Sequence, residues 1–156
     1  MKTALPILAV LTLALGWAGP ARAHCEIPCG IYGDPLRFQL LAEHISTIEK
    51  SMKEIVALSA KQQKSAQDQN QLARWVANKE AHAAEIQDIV SQYFLHQRVK
   101  PAPVANAKAH KSYLAQLTAA HALLIGAMQA KQTVDLGVVA QLRKDLAAFE
   151  KAYGGK

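Results

Sequence analysis

Apolar residues recur every three or four positions over most of the chain, which is the spacing of one face of an amphipathic α-helix. The first series contains Phe38, Leu41, Ile45, Ile48, Met52 and Ile55. Asp34 and Pro35 precede it and predict a helix that has Asp34 as its N-cap. No proline or glycine interrupts residues 36–100, and one helix of that length would extend for about 100 Å. The polar, glutamine-rich segment 61–70 therefore predicts a turn near 62–69 and a helical hairpin.

The apolar spacing resumes after this turn and predicts three more helices. The second carries Leu72, Val76, Ala83, Ile86, Val90 and Tyr93 and ends before Pro101. The third, from about 105 to 131, has a predicted inner side of Leu114, Leu117, His121, Leu124 and Met128. The fourth, capped by Thr133 or Asp135, carries Val139, Leu142, Leu146, Phe149 and Tyr153. Together they predict an all-α fold, an antiparallel four-helix bundle formed by one domain.

The first 23 residues have the layout of a secretory signal peptide. Lys2 supplies a positive charge, residues 7–15 form an apolar stretch, and Ala21 and Ala23 place small residues before a cleavage site. The apolar stretch is shorter than the ~20 residues that span a bilayer, so we expect cleavage by signal peptidase and no stable membrane anchor. The chain then divides into a signal peptide, 1–23, and a mature domain, 24–156, with a periplasmic or extracellular location.

The charge of the chain changes when the signal peptide is removed. The full sequence has a formal net charge of +6, and loss of Lys2 and Arg22 leaves +4. The remaining basic residues are scattered along the chain and form no run, unlike those of a nucleic-acid-binding surface. We therefore expect no nucleic-acid partner, and a mild positive field that attracts small anions.

Cleavage after Ala23 would make His24 the first residue of a segment rich in metal donors. The segment reads HCEIPCGIY over residues 24–32, and we call it the hook. The α-amine, the Cys25 amide nitrogen and the thiolates of Cys25 and Cys29 can form a plane of two nitrogens and two sulfurs, with the His24 imidazole axial. Such donors suit Ni(II) or Cu(II), whereas zinc prefers a tetrahedron. Anionic donors also stabilise a higher oxidation state, so the hook predicts a one-electron redox centre that needs a free amine.

The hook resembles the mature N-terminus of the nickel superoxide dismutases, which follows the pattern His-Cys-x-x-Pro-Cys-Gly-x-Tyr. All six fixed positions match: His24, Cys25, Pro28, Cys29, Gly30 and Tyr32. The Asp-Pro pair and the four-helix pattern behind the hook are also similar, so the resemblance covers the whole mature chain. It implies an enzyme that converts superoxide to dioxygen and hydrogen peroxide, with one nickel ion per subunit cycling between Ni(II) and Ni(III).

The resemblance also implies how the hook binds the metal. Nickel would be held by the amine and imidazole of His24, the amide nitrogen and sulfur of Cys25, and the sulfur of Cys29. Pro28 and Gly30 would shape the hook, with a cis peptide bond before Pro28 that folds the loop back on the metal.

The same resemblance predicts the roles of two tyrosines and the oligomeric state. Tyr32 and Tyr93 would be the catalytic tyrosines near the open face of the metal, where they order water and limit access for superoxide. The enzymes that the chain resembles are homohexamers of four-helix bundles, so a homohexamer is expected.

The chain departs from the family in two respects. A signal peptide precedes the hook, whereas many members carry a short pro-segment that a dedicated peptidase removes. In addition, the glutamate and arginine that support the axial imidazole in the family correspond here to Leu41 and to Asn78 or Lys79.

Two other interpretations of the hook remain. Cys25 and Cys29 can form a disulfide in an oxidising compartment, which would leave a purely structural helical bundle. Alternatively, the same chelate can serve an exported nickel- or copper-binding carrier or sensor that performs no turnover.

Overall fold

The computed structural model describes residues 33–154, which form four helices around one core. Helix α1 spans Asp34–Ser59, and α2 spans Ala66–Asp88 and continues directly into a π-helix over Ile89–Arg98. Helix α3 spans Ala107–Gln132 and α4 spans Leu136–Gly154. Helices α1 and α3 each pack on both α2 and α4, and short connections make successive helices antiparallel. The predicted all-α four-helix bundle is confirmed over these residues, and none of their helices has the length and apolar character needed to cross a membrane.

The first connection covers residues 60–65, earlier than the predicted turn near 62–69, and helix α2 begins there with a complete capping box. The Ser65 hydroxyl accepts a hydrogen bond from the Asp68 backbone N–H at 3.1 Å, and the Asp68 carboxylate accepts one from the Ser65 N–H at 3.0 Å. At the start of α4, Asp135 accepts a hydrogen bond from the Gly137 N–H at 2.8 Å. These polar side chains satisfy backbone donors that a helix start leaves open.

The predicted cap of α1 is wrong. Gly33 occupies the N-cap position and contributes no side-chain hydrogen bond, whereas Asp34 is the first helical residue. Pro35 follows in the first turn, as expected. The Asp34 carboxylate is instead bonded to side chains of other elements, because it lies where the π-helix and the end of α4 approach the start of α1.

The predicted inner faces of α1 and α4 are confirmed. In α1, Leu41, Ile45, Ile48 and Met52 are fully buried and Ile55 is nearly so. In α4, the buried residues are Val139, Leu142, Leu146, Phe149 and Tyr153. In α2 the prediction holds for the second half of the helix, whereas Val76 is 41% exposed.

The predicted inner face of α3 is wrong at three of its five positions, whereas Leu117 and Leu124 are partly buried and pack against the core. Leu114 and Met128 are 47% and 40% exposed, and His121 is also exposed. The buried residues of α3 are mostly small: Gln116, Ala120, Leu123, Gly126, Ala127 and Ala130. At Gly126 a Cβ atom would lie 2.7 Å from Cδ2 of Leu142, so α3 and α4 approach too closely there for a larger residue. Close packing of backbones thus selects the small face of α3 for the core.

One charged side chain is buried in this bundle. Lys79 of α2 is 4% exposed, and its ammonium donates hydrogen bonds to the carbonyl oxygens of Ala130 at 2.7 Å and Lys131 at 2.5 Å. It also pairs with Glu80 at 3.0 Å. The carbonyls belong to the last turn of α3, which has no further helical N–H to bond, so Lys79 closes that helix end.

Candidate functional site

The hook lies outside the described residues, so the positions of its metal ligands and of Tyr32 stay predictions. The described chain starts at Gly33, directly after Tyr32, and enters α1 at Asp34. The end of the bundle around Asp34 is therefore the part of the structure to which the hook is covalently joined.

The donor set of the hook fits nickel on chemical grounds. A primary amine, an imidazole, an amide nitrogen and two thiolates provide nitrogen and sulfur ligands that suit a square-planar or tetragonal Ni(II) ion. Both cysteines of the chain, Cys25 and Cys29, belong to the hook. Within residues 33–154, no three His, Cys, Asp or Glu side chains are grouped so that they could hold a metal ion.

Three donors from two other elements converge on the Asp34 carboxylate. Oδ1 accepts hydrogen bonds from the Tyr93 hydroxyl at 2.6 Å and from Nε of Arg98 at 2.7 Å, both from the π-helix. Oδ2 accepts a hydrogen bond from the Tyr153 hydroxyl at 2.7 Å, from the last turn of α4. We call Asp34, Tyr93, Arg98 and Tyr153 the Asp34 cluster. It connects the first turn of α1 to the π-helix and to the end of α4.

The pKa values in the cluster follow from these bonds. Burial raises the pKa of Asp34, but the hydrogen bonds from Arg98, Tyr93 and Tyr153 outweigh it and lower the pKa to about 2. Burial and the bond to Asp34 raise the pKa of Tyr93, and they raise the pKa of Tyr153 to about 12. The hydrogen bond to Asp34 raises the pKa of Arg98 further above its usual range. Near neutral pH the cluster therefore contains one carboxylate, one guanidinium and two neutral hydroxyls.

An aromatic layer supports the cluster from within the bundle. The Phe94 ring centroid is 4.9 Å from the centroids of Phe38 and of Phe149, and 5.3 Å from that of Tyr153. Phe94 and Phe149 are fully buried. Because such packed rings have few accessible rotamers, the two tyrosine hydroxyls are presented to Asp34 in a fixed direction.

Two arginines flank the Tyr93 ring. The Cζ atoms of Arg37 and Arg98 lie 5.1 and 5.6 Å from the ring centroid, within the range of cation–π attraction. Tyr93 is only 8% exposed. The family resemblance predicted that Tyr93 lies near the metal pocket. In the structure its hydroxyl donates a hydrogen bond to Asp34, two residues after Tyr32. The charge of Arg98 is paired with Asp34, and a second guanidinium, that of Arg37, lies beside the same ring.

Sequence reasoning missed three members of the Asp34 cluster. Asp34 was interpreted as a helix cap, and Tyr153 was assigned to the apolar face of α4. Arg98 was not singled out, and an α-helix would not place it on the same face as Tyr93, five residues before it. The two residues share a face here because the segment is a π-helix, in which the Val99 N–H bonds to the Phe94 carbonyl at 2.8 Å. An acidic residue immediately after the hook was the one available signal.

The positions that correspond to the imidazole-supporting residues of the family lie deeper in the bundle. Leu41 is fully buried. Asn78 donates a hydrogen bond to Ser51 at 3.0 Å, and Lys79 is bound to the end of α3. Ser51 lies 17 residues after Asp34 in α1, which corresponds to about 25 Å along the helix. Asn78 and Lys79 are thus far from the Asp34 cluster within one subunit.

Two histidines form a separate pair between α1 and α2. The Nδ1 atoms of His44 and His82 are 2.8 Å apart, so one ring donates a hydrogen bond and the other accepts it. Burial lowers the pKa of His44, and the neighbouring His82 lowers it further, against the opposing effect of Glu85 and Glu43. The His44 imidazole therefore favours its neutral form.

A comparison with known families adds one finding to this geometry. A family model described as nickel-containing superoxide dismutase matches residues 19–156. The match spans the hook, the Asp34 cluster and all four helices. Neither the curated proteins nor the solved structures include a match to the chain.

Proposed function

We propose that the hook holds nickel, because this chain belongs to the nickel-containing superoxide dismutase family. The chain is therefore a nickel-dependent enzyme that converts superoxide to dioxygen and hydrogen peroxide. The ligands are the amine and imidazole of His24, the amide nitrogen and sulfur of Cys25, and the sulfur of Cys29. When bound, nickel supplies a one-electron couple between Ni(II) and Ni(III) that superoxide alternately reduces and oxidises. Pro28 and Gly30 set the path of the chain between the two cysteines.

The tyrosines hold water and protons beside the hook. Conversion of two superoxide anions to dioxygen and hydrogen peroxide consumes two protons, which must reach the substrate through bound water or side chains. Tyr93 is suited to orienting such water, because its hydroxyl proton is committed to Asp34 and the oxygen retains lone pairs that can accept a hydrogen bond. Its raised pKa keeps it neutral. Tyr32, the last residue of the hook, limits access to the metal.

The observation that carries this proposal is the position of the six matching residues directly after the cleavage site at Ala23. An additional glycine before His24 converts the primary amine into an amide and removes one nickel ligand. We expect this variant to lose nickel binding and superoxide dismutation while its circular dichroism stays that of a folded bundle. A glycine added after Lys156 is the matched control and retains both properties.

Each outcome of this experiment is informative. Full nickel content and activity with the added glycine would refute the amine as a ligand. Nickel bound without turnover, in native assembled protein with a verified His24 terminus, would favour the carrier over the enzyme. A Cys25–Cys29 disulfide that persists in active protein would refute thiolate ligation.

Residues 1–23 are proposed to direct export and to generate the His24 terminus. Their charge, apolar stretch and small residues at 21 and 23 are those of a signal peptide, which places the enzyme in the periplasm or outside the cell. We expect Ala23→Leu to block cleavage and to leave an inactive precursor, whereas Thr3→Ala is processed normally. Intact mass of the exported protein distinguishes the two, and a mature terminus other than His24 would contradict this route.

A homohexamer is the proposed assembly, and α3 offers an apolar surface for it. Leu114, Ile125 and Met128 are 47%, 39% and 40% exposed, and their spacing of 11 and 3 residues places them on one face of the helix. A stripe of this kind is typical of a surface that another subunit covers. We expect Met128→Lys to reduce the oligomer mass measured by light scattering, whereas Gln129→Lys, at the next position, leaves it unchanged. An unaltered mass for Met128→Lys would exclude this stripe from the interface.

A further inference from the structure

The Asp34 cluster joins the root of the hook to the far end of the sequence. Asp34 lies two residues after Tyr32 and five after Cys29, whereas Tyr153 belongs to the last turn of α4. We propose that Asp34 is a positioning residue for the nickel hook, and that Tyr153 and Arg98 act through it. The proposal rests on the hook as the nickel site.

Chain geometry explains why a fixed Asp34 constrains the hook. An extended chain spans at most about 3.3–3.6 Å per residue, so Tyr32 begins within about 7 Å of Asp34 and Cys29 within about 17 Å. The position of the first turn of α1 therefore limits where the nearest proposed metal ligand can lie. Metal sites and catalytic centres require ligand placement within about 0.5 Å, which a loop without a fixed root does not achieve.

The bonds of Asp34 are more than a helix start requires. An acidic residue in the first turn already interacts favourably with the helix dipole, and it needs no specific partner to do so. Here both carboxylate oxygens are used, and the donors come from two elements that are distant in sequence. Arg98 contributes a charge-assisted bond, which is stronger and more directional than a neutral one. The side chain therefore fixes the position of α1 relative to the π-helix and α4.

Tyr153 gives the cleanest test, because its ring also packs on Phe94 and Phe149. Tyr153→Phe keeps that packing and removes only the hydroxyl. We expect the dissociation constant for nickel, measured by chelator competition on protein with a verified His24 terminus, to rise about 10- to 100-fold. The electron paramagnetic resonance spectrum of the oxidised metal should also change. Tyr113→Phe, at a half-buried tyrosine outside the cluster, is the matched control and should change neither property.

Asp34→Ala tests the same contact from the other side. It removes both oxygens to which Arg98 and the two tyrosines donate, and Asp88→Ala, at an exposed position of α2, is its control. If Tyr153 acts through Asp34, the variant that combines Asp34→Ala with Tyr153→Phe raises the dissociation constant no more than Asp34→Ala alone, because the acceptor of the Tyr153 hydroxyl is already absent. Independent effects that simply add would overturn the proposal.

The outcomes separate this inference from the proposed function. If protein with a His24 terminus binds no nickel, the hook is not the metal site and the proposed function fails. The second outcome is that this protein binds nickel with high affinity, and that Tyr153→Phe lowers the unfolding temperature without changing the nickel affinity or the spectrum. The cluster would then have a structural role only, and the inference would be wrong while the proposed function stands.

Discussion

A charged side chain with several hydrogen bonds lies towards each end of the bundle, Lys79 at one and Asp34 at the other, and their bonding partners differ in kind. Lys79 lies towards the end remote from the hook and donates to main-chain carbonyl oxygens of the last turn of α3. Asp34 lies at the end that carries the hook and accepts only from side chains, two tyrosines and an arginine. Any buried helix end needs donors for its carbonyls, so the Lys79 contacts serve folding. The Asp34 contacts join side chains of three elements and satisfy no open main-chain group.

Similar bonding therefore serves different purposes at the two ends of the bundle. Lys79 stabilises a helix end, so its loss should affect the free energy of unfolding and leave the nickel site intact. Asp34 is the root of the hook, so its loss should affect both. The following predictions test this difference, from the largest expected effect on stability to the smallest.

Lys79→Met retains most of the apolar stem and removes the ammonium. The carbonyls of Ala130 and Lys131 then lose their charged donor in a buried position, so we expect the free energy of unfolding to fall by about 2–3 kcal/mol. Urea denaturation of the metal-free protein measures this loss. Lys53→Met, at a side chain that is 58% exposed, should change it by at most about 0.5 kcal/mol. Equal stability of the two variants, or weaker nickel binding by Lys79→Met, would contradict a purely structural role for Lys79.

Acid should weaken the Asp34 end selectively. The pKa of Asp34 is lowered from 3.8 to about 2 in the folded protein. The stability that this carboxylate contributes is therefore complete above the pKa of the unfolded chain, and it is lost as the pH falls through the pKa of the folded protein. Between about pH 5 and pH 1 the wild type should lose roughly 2 kcal/mol more than Asp34→Asn. Denaturation curves at several pH values provide the measurement. The pKa of Asp68 is also lowered to about 2, but that group is present in both proteins and does not affect the difference.

Alkali should weaken the same end through Tyr153. Its pKa is raised from 10.0 to about 12, so the stability that it contributes is complete below pH 10 and is lost as the pH rises through 12. At neutral pH, Tyr153→Phe should lower the free energy of unfolding by about 1 kcal/mol. This gap between wild type and variant should close over the alkaline range. A gap that stays constant with pH would mean that the hydroxyl is not bonded to Asp34 as described.

A carboxylate whose two partners are both exposed provides the lower limit of the comparison. Glu49 contacts Lys53 and Arg143, but its side chain is 28% exposed and both partners are more exposed still. We expect Glu49→Gln to change the free energy of unfolding by less than about 1 kcal/mol, and this effect should diminish with added salt. A loss as large as that of Lys79→Met would show that exposure does not distinguish the two contacts.

Helix spacing predicted those parts of the fold in which large residues form the core. The faces of α1 and α4 were identified correctly, because leucine, isoleucine and phenylalanine lie on one side and polar residues on the other. In α3 the same reasoning selected Leu114 and Met128, which are exposed, and passed over Gly126 and Ala127, which are buried. Hydrophobic spacing identifies an apolar face but does not determine whether helices or other subunits cover it.

The candidate site was only partly predictable for a different reason. The hook is a contiguous motif, so its donors could be recognised in the sequence, and Tyr93 was found through the family pattern. Tyr153 and Arg98 join Asp34 only when distant segments fold together. An α-helical wheel also places residues 93 and 98 on different faces, so no local pattern could reveal their common target.

The π-helix determines whether Tyr93 and Arg98 can both bond to Asp34. At the α-helical pitch of 3.6 residues per turn, positions 93 and 98 would point about 140° apart, and only one of them could reach a given oxygen. Wider winding over Ile89–Arg98 brings both to Oδ1 of Asp34. The ion pair therefore depends on the winding of the backbone. A stretch that tightened to α pitch would turn Arg98 away and leave the Asp34 carboxylate with only neutral hydroxyl donors. A change in main-chain pitch, with no change in sequence, would loosen the root of the hook.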